Sequence, residues 1–288
     1  MTTLLSLWMM FCAATAHATA IAGWDVGYTQ PQGYDAVRVH RVEGFYGHEV
    51  ASATEPGFLI VVPLVTRDPA ALEQTAVALV GALGLRQLRQ PVAPSLGQTG
   101  ERRSVTTAYS GQDKGGRQWQ AHFVFVELGE LAVCVAGFSL QEHADTVRDH
   151  VTSVAASLQG ALRPDASATA RLKGGWRWES MSSAGSYSSH SSVVSTAYEV
   201  YTFDGRGGYR VSSNQATSAW SASDLDHDGS YESSSSASHI GRGSGPQRGT
   251  YAVINGYLVV QGPEGFILPA SKLNSSGFKV NGRTYIKD

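Results

Sequence analysis

The chain has 288 residues, 42% hydrophobic and 16% charged, with 22 Lys+Arg against 24 Asp+Glu for a formal charge of -2. So balanced a charge gives nucleic acid or an anionic membrane surface no electrostatic hold, which removes both as expected partners. The length suits two domains, each with a core of its own.

Residues 1–18 carry no charge, are apolar from Leu4 to Phe11 and end in Ala16-His17-Ala18. This is the pattern of a secretory signal peptide with an A-x-A cleavage site, so the chain is expected in the bacterial periplasm or secreted. The apolar run is too short to span a bilayer comfortably, and no later stretch offers a membrane span. Cys12 follows the bulky Phe11, which does not fit the small-residue position of lipoprotein processing, so it is expected to leave with the signal. Cys134 then stands alone and no intramolecular disulfide can form. Its place in Leu131-Ala-Val-Cys-Val-Ala marks a small buried thiol.

Residues 19–162 read as an α/β domain. Gly57-Phe-Leu-Ile-Val-Val-Pro-Leu is a buried strand, and Asp68-Pro69 places an N-cap and a first-turn proline before a helix. That helix carries Leu72, Ala76, Leu79, Val80 and Leu83 on one stripe and stops at Gly84. Strands follow at Ser104 to Tyr109, Arg117 to Leu128 and Glu130 to Phe138, joined by Asp113-Lys-Gly-Gly and Gly129 as an antiparallel meander. Ser139-Leu-Gln-Glu142 reads as a capping box before a second helix, whose stripe is Leu140, Ala144, Val147, Val151, Val154 and Leu158. A buried strand ending in proline, a helix, antiparallel strands and a last amphipathic helix together resemble the PsbP-like and DcrB-like envelope domains over roughly residues 30–160. The resemblance implies an α/β/α sandwich with an antiparallel sheet and non-catalytic work as an extrinsic subunit, chaperone or accessory protein, with no particular partner.

Arg163-Pro-Asp-Ala-Ser-Ala-Thr-Ala170 has the composition of a linker, taken as 163–171. Residues 172–288 then read as all-β. Strands are expected from Leu172 to Trp178, Ala197 to Phe203, Gly208 to Ser213 and Thr217 to Ala222. Later ones run from Gly249 to Ile254, Tyr257 to Gln261, Gly265 to Leu268, Gly277 to Val280 and Arg283 to Lys287. Asn255-Gly256 and Asn281-Gly282 suit two-residue hairpins, which makes an up-and-down barrel the economical topology. Gly174-x-Trp176 matches the first-strand motif of lipocalins, and this half resembles the lipocalin-like domains of exported bacterial proteins. The resemblance implies that Arg283 in the last strand stacks over Trp176 as the closing arginine. The Ser/Gly-rich insert departs from that family, and Ser180 to Ser195 and Ser233 to Pro246 offer little apolar surface to set against ordering entropy.

Chemistry-bearing motifs are few. No G-x-S-x-G or P-loop occurs, and Gly241-Arg-Gly-Ser244-Gly lies in a connection between strands. His143, Asp145, Asp149 and His150 share a helix without the one-face spacing of a metal site, so they read as a solvated flank. Trp176, Trp178, Trp220 and the strand tyrosines read as barrel core before they read as a carbohydrate- or lipid-binding surface. Asp224-Leu-Asp226-His-Asp228-Gly229-Ser230-Tyr-Glu232 is the sharpest local signal. It matches an EF-hand loop at positions one, three, five and six, but Ser235 stands at twelve and no helix flanks it. The expectation is a partial calcium loop in which Asp224, Asp226, Asp228, a backbone carbonyl near Ser230 and Glu232 supply oxygen ligands, with a solvated acidic turn as the alternative.

These observations predict a non-enzymatic exported accessory or binding protein of the bacterial envelope, the sandwich meeting a protein partner, with calcium the only expected cofactor. Carriage of a small apolar ligand in the C-terminal barrel is the second expectation, and an uncharacterised hydrolase the third.

Overall fold

The structure, a computed structural model, describes residues 18–21, 25–40, 47–52, 57–186, 191–221, 234–241, 247–262, 267–274, 276–280 and 283–288. Most of the expected signal peptide and the whole acidic loop from Asp224 to Glu232 lie outside them. The N-terminal half runs β1 (Ala18–Ile21), β2 (Val26–Thr29), β3 (Tyr34–His40), β4 (Gly47–Ser52), β5 (Gly57–Leu64), α1 (Pro69–Ala82), β6 (Arg86–Thr99), β7 (Arg102–Gln112), β8 (Gln118–Leu128) and β9 (Leu131–Leu140). A 3-10 turn (Gln141–His143), α2 (Ala144–Ser157) and β10 (Gln159–Gly160) complete it. Seven antiparallel strands form one sheet in the order β3-β4-β5-β9-β8-β7-β6, and β1-β2-β10 form a small second sheet.

β9 sits between β5 and β8, and Leu131 through Ser139 are all buried, so residues of both parities are covered. One face shows Leu59, Gly137 and His122 in cross-strand register. A Cβ on Gly137 would collide with Val147 and Val151, so glycine lets α2 lie directly on the backbone there. The stripe Val147, Val151, Val154 and Leu158 is buried as the sequence predicts. The other face carries Tyr109, Phe123 and Phe138, whose rings meet at 5.7 to 5.9 Å. α1 covers that face. Its Glu73 accepts from Gln90 Nε2, which also donates to Thr107 Oγ1 and Tyr109 OH. The sandwich is therefore α/β/α. α1 begins at Pro69 and ends where Gly84, at φ 77°, lets Gly84 N–H reach Gly81 O and Leu85 N–H reach Val80 O, a Schellman close.

Ser139 does not cap α2. The ladder continues through it, paired with Gly57 and Gln120, and its buried hydroxyl finds no partner, so helix formation waits until after the 3-10 turn.

The C-terminal half runs α3 (Ala166–Arg171), β11 (Gly174–Ser186), β12 (Ser191–Phe203), β13 (Gly208–Ser221), β14 (Ser234–Gly241), β15 (Gln247–Ile254), β16 (Tyr257–Gln261), β17 (Ile267–Lys272), β18 (Phe278–Val280) and β19 (Arg283–Lys287). The sheet order β17-β16-β15-β13-β12-β11-β19-β18 is sequential around a ring, with β14 branching from β13, and β17 lies beside β18 to bring the barrel near closure. Asn255 at φ 49° and Gly256 at φ 80° make the expected two-residue turn. Ser180–Ser186 and Ser191–Ser195, where ordering was in doubt, are ladder strands paired Gly174↔Phe203 through Ser186↔Ser191.

Residues 163–171 are more than a flexible link. Asp165 Oδ1 accepts from Ala168 N–H at 2.8 Å and caps α3, Asp165 N–H donates to Val253 O at 2.7 Å, and Tyr251 OH donates to Thr169 O. The segment is a bracket docked on β15. On the hairpin it holds, Tyr251, Val253, Leu258 and Val260 face the barrel core, while Ala252, Ile254 and Val259 belong to the sandwich core. Gln261 Nε2 donates to Thr75 Oγ1 on α1 at 3.3 Å. The two halves thus share buried apolar surface.

Candidate binding site

The predicted closure residues come together, in a changed pairing. β11 and β19 align Trp176 with Lys287 and Arg177 with Ile286. That register carries Arg283 past Trp176, so its guanidinium lies over Trp178 at 4.2 Å from the ring centroid, and Lys287 Nζ lies 5.7 Å from the Trp176 ring. Trp176 is buried and donates from Nε1 to Leu172 O at 2.8 Å. Gly174, at φ 122°, opens the strand next to Lys287. Glu199, directly opposite Trp178, accepts from Arg283 Nη1 at 2.9 Å and from Tyr285 OH. Burial first, and the Glu199 carboxylate second, push the Tyr285 hydroxyl above its ordinary pKa of 10, so it stays a donor.

Below this network the interior is filled. Trp176, Tyr201, Phe203, Tyr209, Tyr251, Phe278 and Tyr285 are buried in one cluster, with Phe203 and Tyr251 at 4.6 Å and Tyr201 and Tyr285 at 5.1 Å between centroids. Of the strand aromatics, Trp176, Tyr201, Tyr209 and Tyr251 are core, as alternation predicts, Trp178, Tyr198 and Tyr257 are half-buried, and the Trp220 side chain lies outside those described.

The described surface has a polar groove that the sequence reading did not single out. It lies on the α2 face of the sandwich, past the helix N-terminus, where the cross-strand pairs Ser110↔Gln120 and Gln112↔Gln118 extend the Ala108↔His122 row. A cavity of about 450 Å³ there is lined by Gln87, Arg89, Pro91, Ser110, Gly111, Gln112, Gln118, Gln120 and Gln141. An adjoining hollow of about 620 Å³ shares Gln118 and Gln141 and adds Arg117, Leu140 and Glu142. Gln87, one of the lining residues, has a left-handed φ of 52° at a register shift between Arg86 and Arg89. Among the described residues, none of the five glutamine side chains nor Arg89 has an intramolecular side-chain hydrogen bond or ion pair. Arg117 is engaged by Asp113 at 2.7 Å. Burial raises Asp113, but bonds from Arg117, Trp119 and Gly115 outweigh it and hold the carboxyl at about 2. His122 lies one step inward from Gln120. Desolvation, helped by the Arg148 charge and opposed by Asp145 and Asp149, keeps its ring below its ordinary pKa, and its buried Nε2 has no partner.

The helix flank is tied up in local contacts. Arg148 pairs with Asp145 at 2.8 Å and Asp149 at 3.4 Å, and His150 Nδ1 meets Tyr34 OH at 3.2 Å. No group of three metal-ligating side chains gathers among the described residues, and Asp224, Asp226, Asp228, Ser230 and Glu232 are outside them. No described helix is long and apolar enough to cross a membrane.

No protein-family model matches the chain, and no curated protein does. Several solved structures are similar to it, two of which follow. LpqN of Mycobacterium tuberculosis, described as involved in cell envelope biogenesis, is 12% identical, with 51% of this chain and 86% of that chain covered at a TM-score of 0.36. Cyanobacterial PsbP of Synechocystis sp. is 13% identical, with 50% and 91% covered at a TM-score of 0.38. The likeness is one of fold, and it covers about half of the chain.

The closure network makes an energetic prediction. Glu199→Ala strands the Tyr285 hydroxyl and frees Arg283, and should cost about 1–3 kcal/mol in urea unfolding. Arg283→Ala should cost less, because that side chain is 43% exposed and water replaces its partner. Equal costs would mean that the arginine, and not the carboxylate, organises the closure.

Proposed function

We propose that this chain is a non-enzymatic, exported accessory protein of the bacterial envelope whose sandwich half binds a protein partner. The observation that carries the reading is the β6 edge. β6 ends the seven-strand order, is exposed nearly throughout, and presents Leu88 at 38%, Val92 at 44% and Leu96 at 81% exposure, with Arg86 and Arg89 beside them. Apolar side chains repeated along an uncovered edge are the mark of a docking surface. Pro91 and Pro94 remove two N–H donors from that edge, which favours side-chain docking over strand addition. Carriage of an apolar ligand in the barrel is the weaker reading, because stacked rings occupy its described interior. A photo-crosslinking residue at position 96, in cells exporting the chain, should give one discrete protein adduct in the periplasmic fraction that Val92→Glu abolishes. Adducts no stronger than those from a probe at exposed Lys173, or retention in the cytoplasm, would contradict the reading.

The calcium expectation stands as a second proposal and rests on sequence alone. Three aspartates within five residues repel one another unless a cation offsets them, and oxygen-only ligands favour calcium. Calcium at a hundred times its dissociation constant should stabilise the chain by about 2.7 kcal/mol. Calorimetry with calcium and with chelator reads this as a higher melting temperature. An unchanged value leaves a solvated acidic turn.

A further inference from the structure

We infer that the glutamine-lined groove of the sandwich binds an extended, uncharged polar segment of polypeptide. The inference rests on the reading of the sandwich as the partner-binding half and names the chemistry that half recognises.

Gln87, Gln112, Gln118, Gln120 and Gln141 bring five primary amides around one cavity, each with a donor and an acceptor that no described side chain uses. A side-chain primary amide can donate to the C=O and accept from the N–H of one residue in an extended strand, two groups that point the same way, so such a lining reads extended backbone. The two hollows share Gln118 and Gln141, which makes the site elongated instead of round and suits a chain lying across the sheet end. Charge argues for a neutral occupant. Arg117 is neutralised by Asp113, and the remaining charged lining residues, Arg89 in one hollow and Glu142 in the other, are of opposite sign. Pro91 and Leu140 are the only apolar side chains lining it beside the short Gly111, so no deep pocket anchors a large apolar residue. The lining also lacks an aromatic ring, and Trp119 belongs to the other face with its Nε1 bonded to Asp113. A pyranose would find no platform for its apolar face, which favours peptide over glycan. Gln87 adds an independent mark, since a non-glycine residue held at φ 52° is strained backbone, found where a side chain must be aimed.

The test selects random decapeptides displayed on phage against the full-length chain, with maltohexaose and chitohexaose as glycan competitors. The expected result is enrichment of Ser-, Gly-, Asn- and Gln-rich peptides poor in charge. Binding should weaken about tenfold or more in the Gln112→Ala/Gln120→Ala variant and stay unchanged in Lys173→Ala, at an exposed position outside groove and edge. Both substitutions lie on exposed or half-buried positions, and an unchanged urea midpoint excludes misfolding. Three results overturn the inference: no enrichment, peptides that survive the glutamine substitutions, or displacement by either oligosaccharide. If these occur while the adduct at position 96 persists, the groove assignment alone fails. Loss of that adduct as well removes the partner-binding reading itself.

Discussion

The structure depends on two strands that must be covered twice. β5 and β9 lie side by side near the middle of the sheet, and Leu59 through Leu64 and Leu131 through Ser139 are buried on both faces. A strand of this kind cannot fold against one layer. α2 seals one side through the gap left by Gly137. α1 seals the other, and behind it comes the outer face of the β15–β16 hairpin, with Ala252, Ile254 and Val259 in the same core. Full burial of a side chain such as Ile254 or Val259 is worth about 1.5–3 kcal/mol, a large fraction of the roughly 5–15 kcal/mol that separates folded domains from their unfolded chains. The barrel is thus a cover for the sandwich as well as a body of its own, and the α3 bracket fixes it there through Asp165 and Thr169.

That arrangement decides what remains for recognition. α2 is shorter than the sheet it covers, so the row Ser110, Gln112, Gln118 and Gln120 continues beyond its N-terminus with no helix above it. β6 closes the sheet on the side away from β3, where no further described strand joins. The groove and the edge are consequences of how far the covers reach, and they share Arg89 and Pro91. The barrel's own interior is spent on ring packing, which the Glu199 network locks at one end.

Periodicity made the covered parts legible. The stripes of α1 and α2, the buried run of β5, the Asn255-Gly256 turn and the sequential barrel strands all follow from apolar spacing or turn chemistry that acts within a few residues. β6 was not legible, because an exposed edge strand with two prolines and three register shifts has neither alternation nor strand composition, and pairing with β7 alone makes it a strand. The groove was invisible for the same reason: its glutamines come from four separated segments and only cross-strand register assembles them. Ser139 misled because Ser-x-x-Glu is local chemistry, and the β9 ladder overrode it. Arg283 missed Trp176 because the last strand's register, which no motif encodes, sets it beside Trp178. The bracket over 163–171 looked like a linker since its composition is small and polar, while the Asp165 cap that orders it needs Val253 across the interface.

Shared burial between the halves is the claim on which the rest stands, and native-state hydrogen exchange of Ile254→Ala tests it directly. The account predicts lost protection both in the barrel strands around Tyr251 and in α1 from Leu72 to Val80, since the same cavity opens on both. Loss confined to β15 and β16, with α1 protected as in the parent chain, would show that the halves fold without each other and would contradict it.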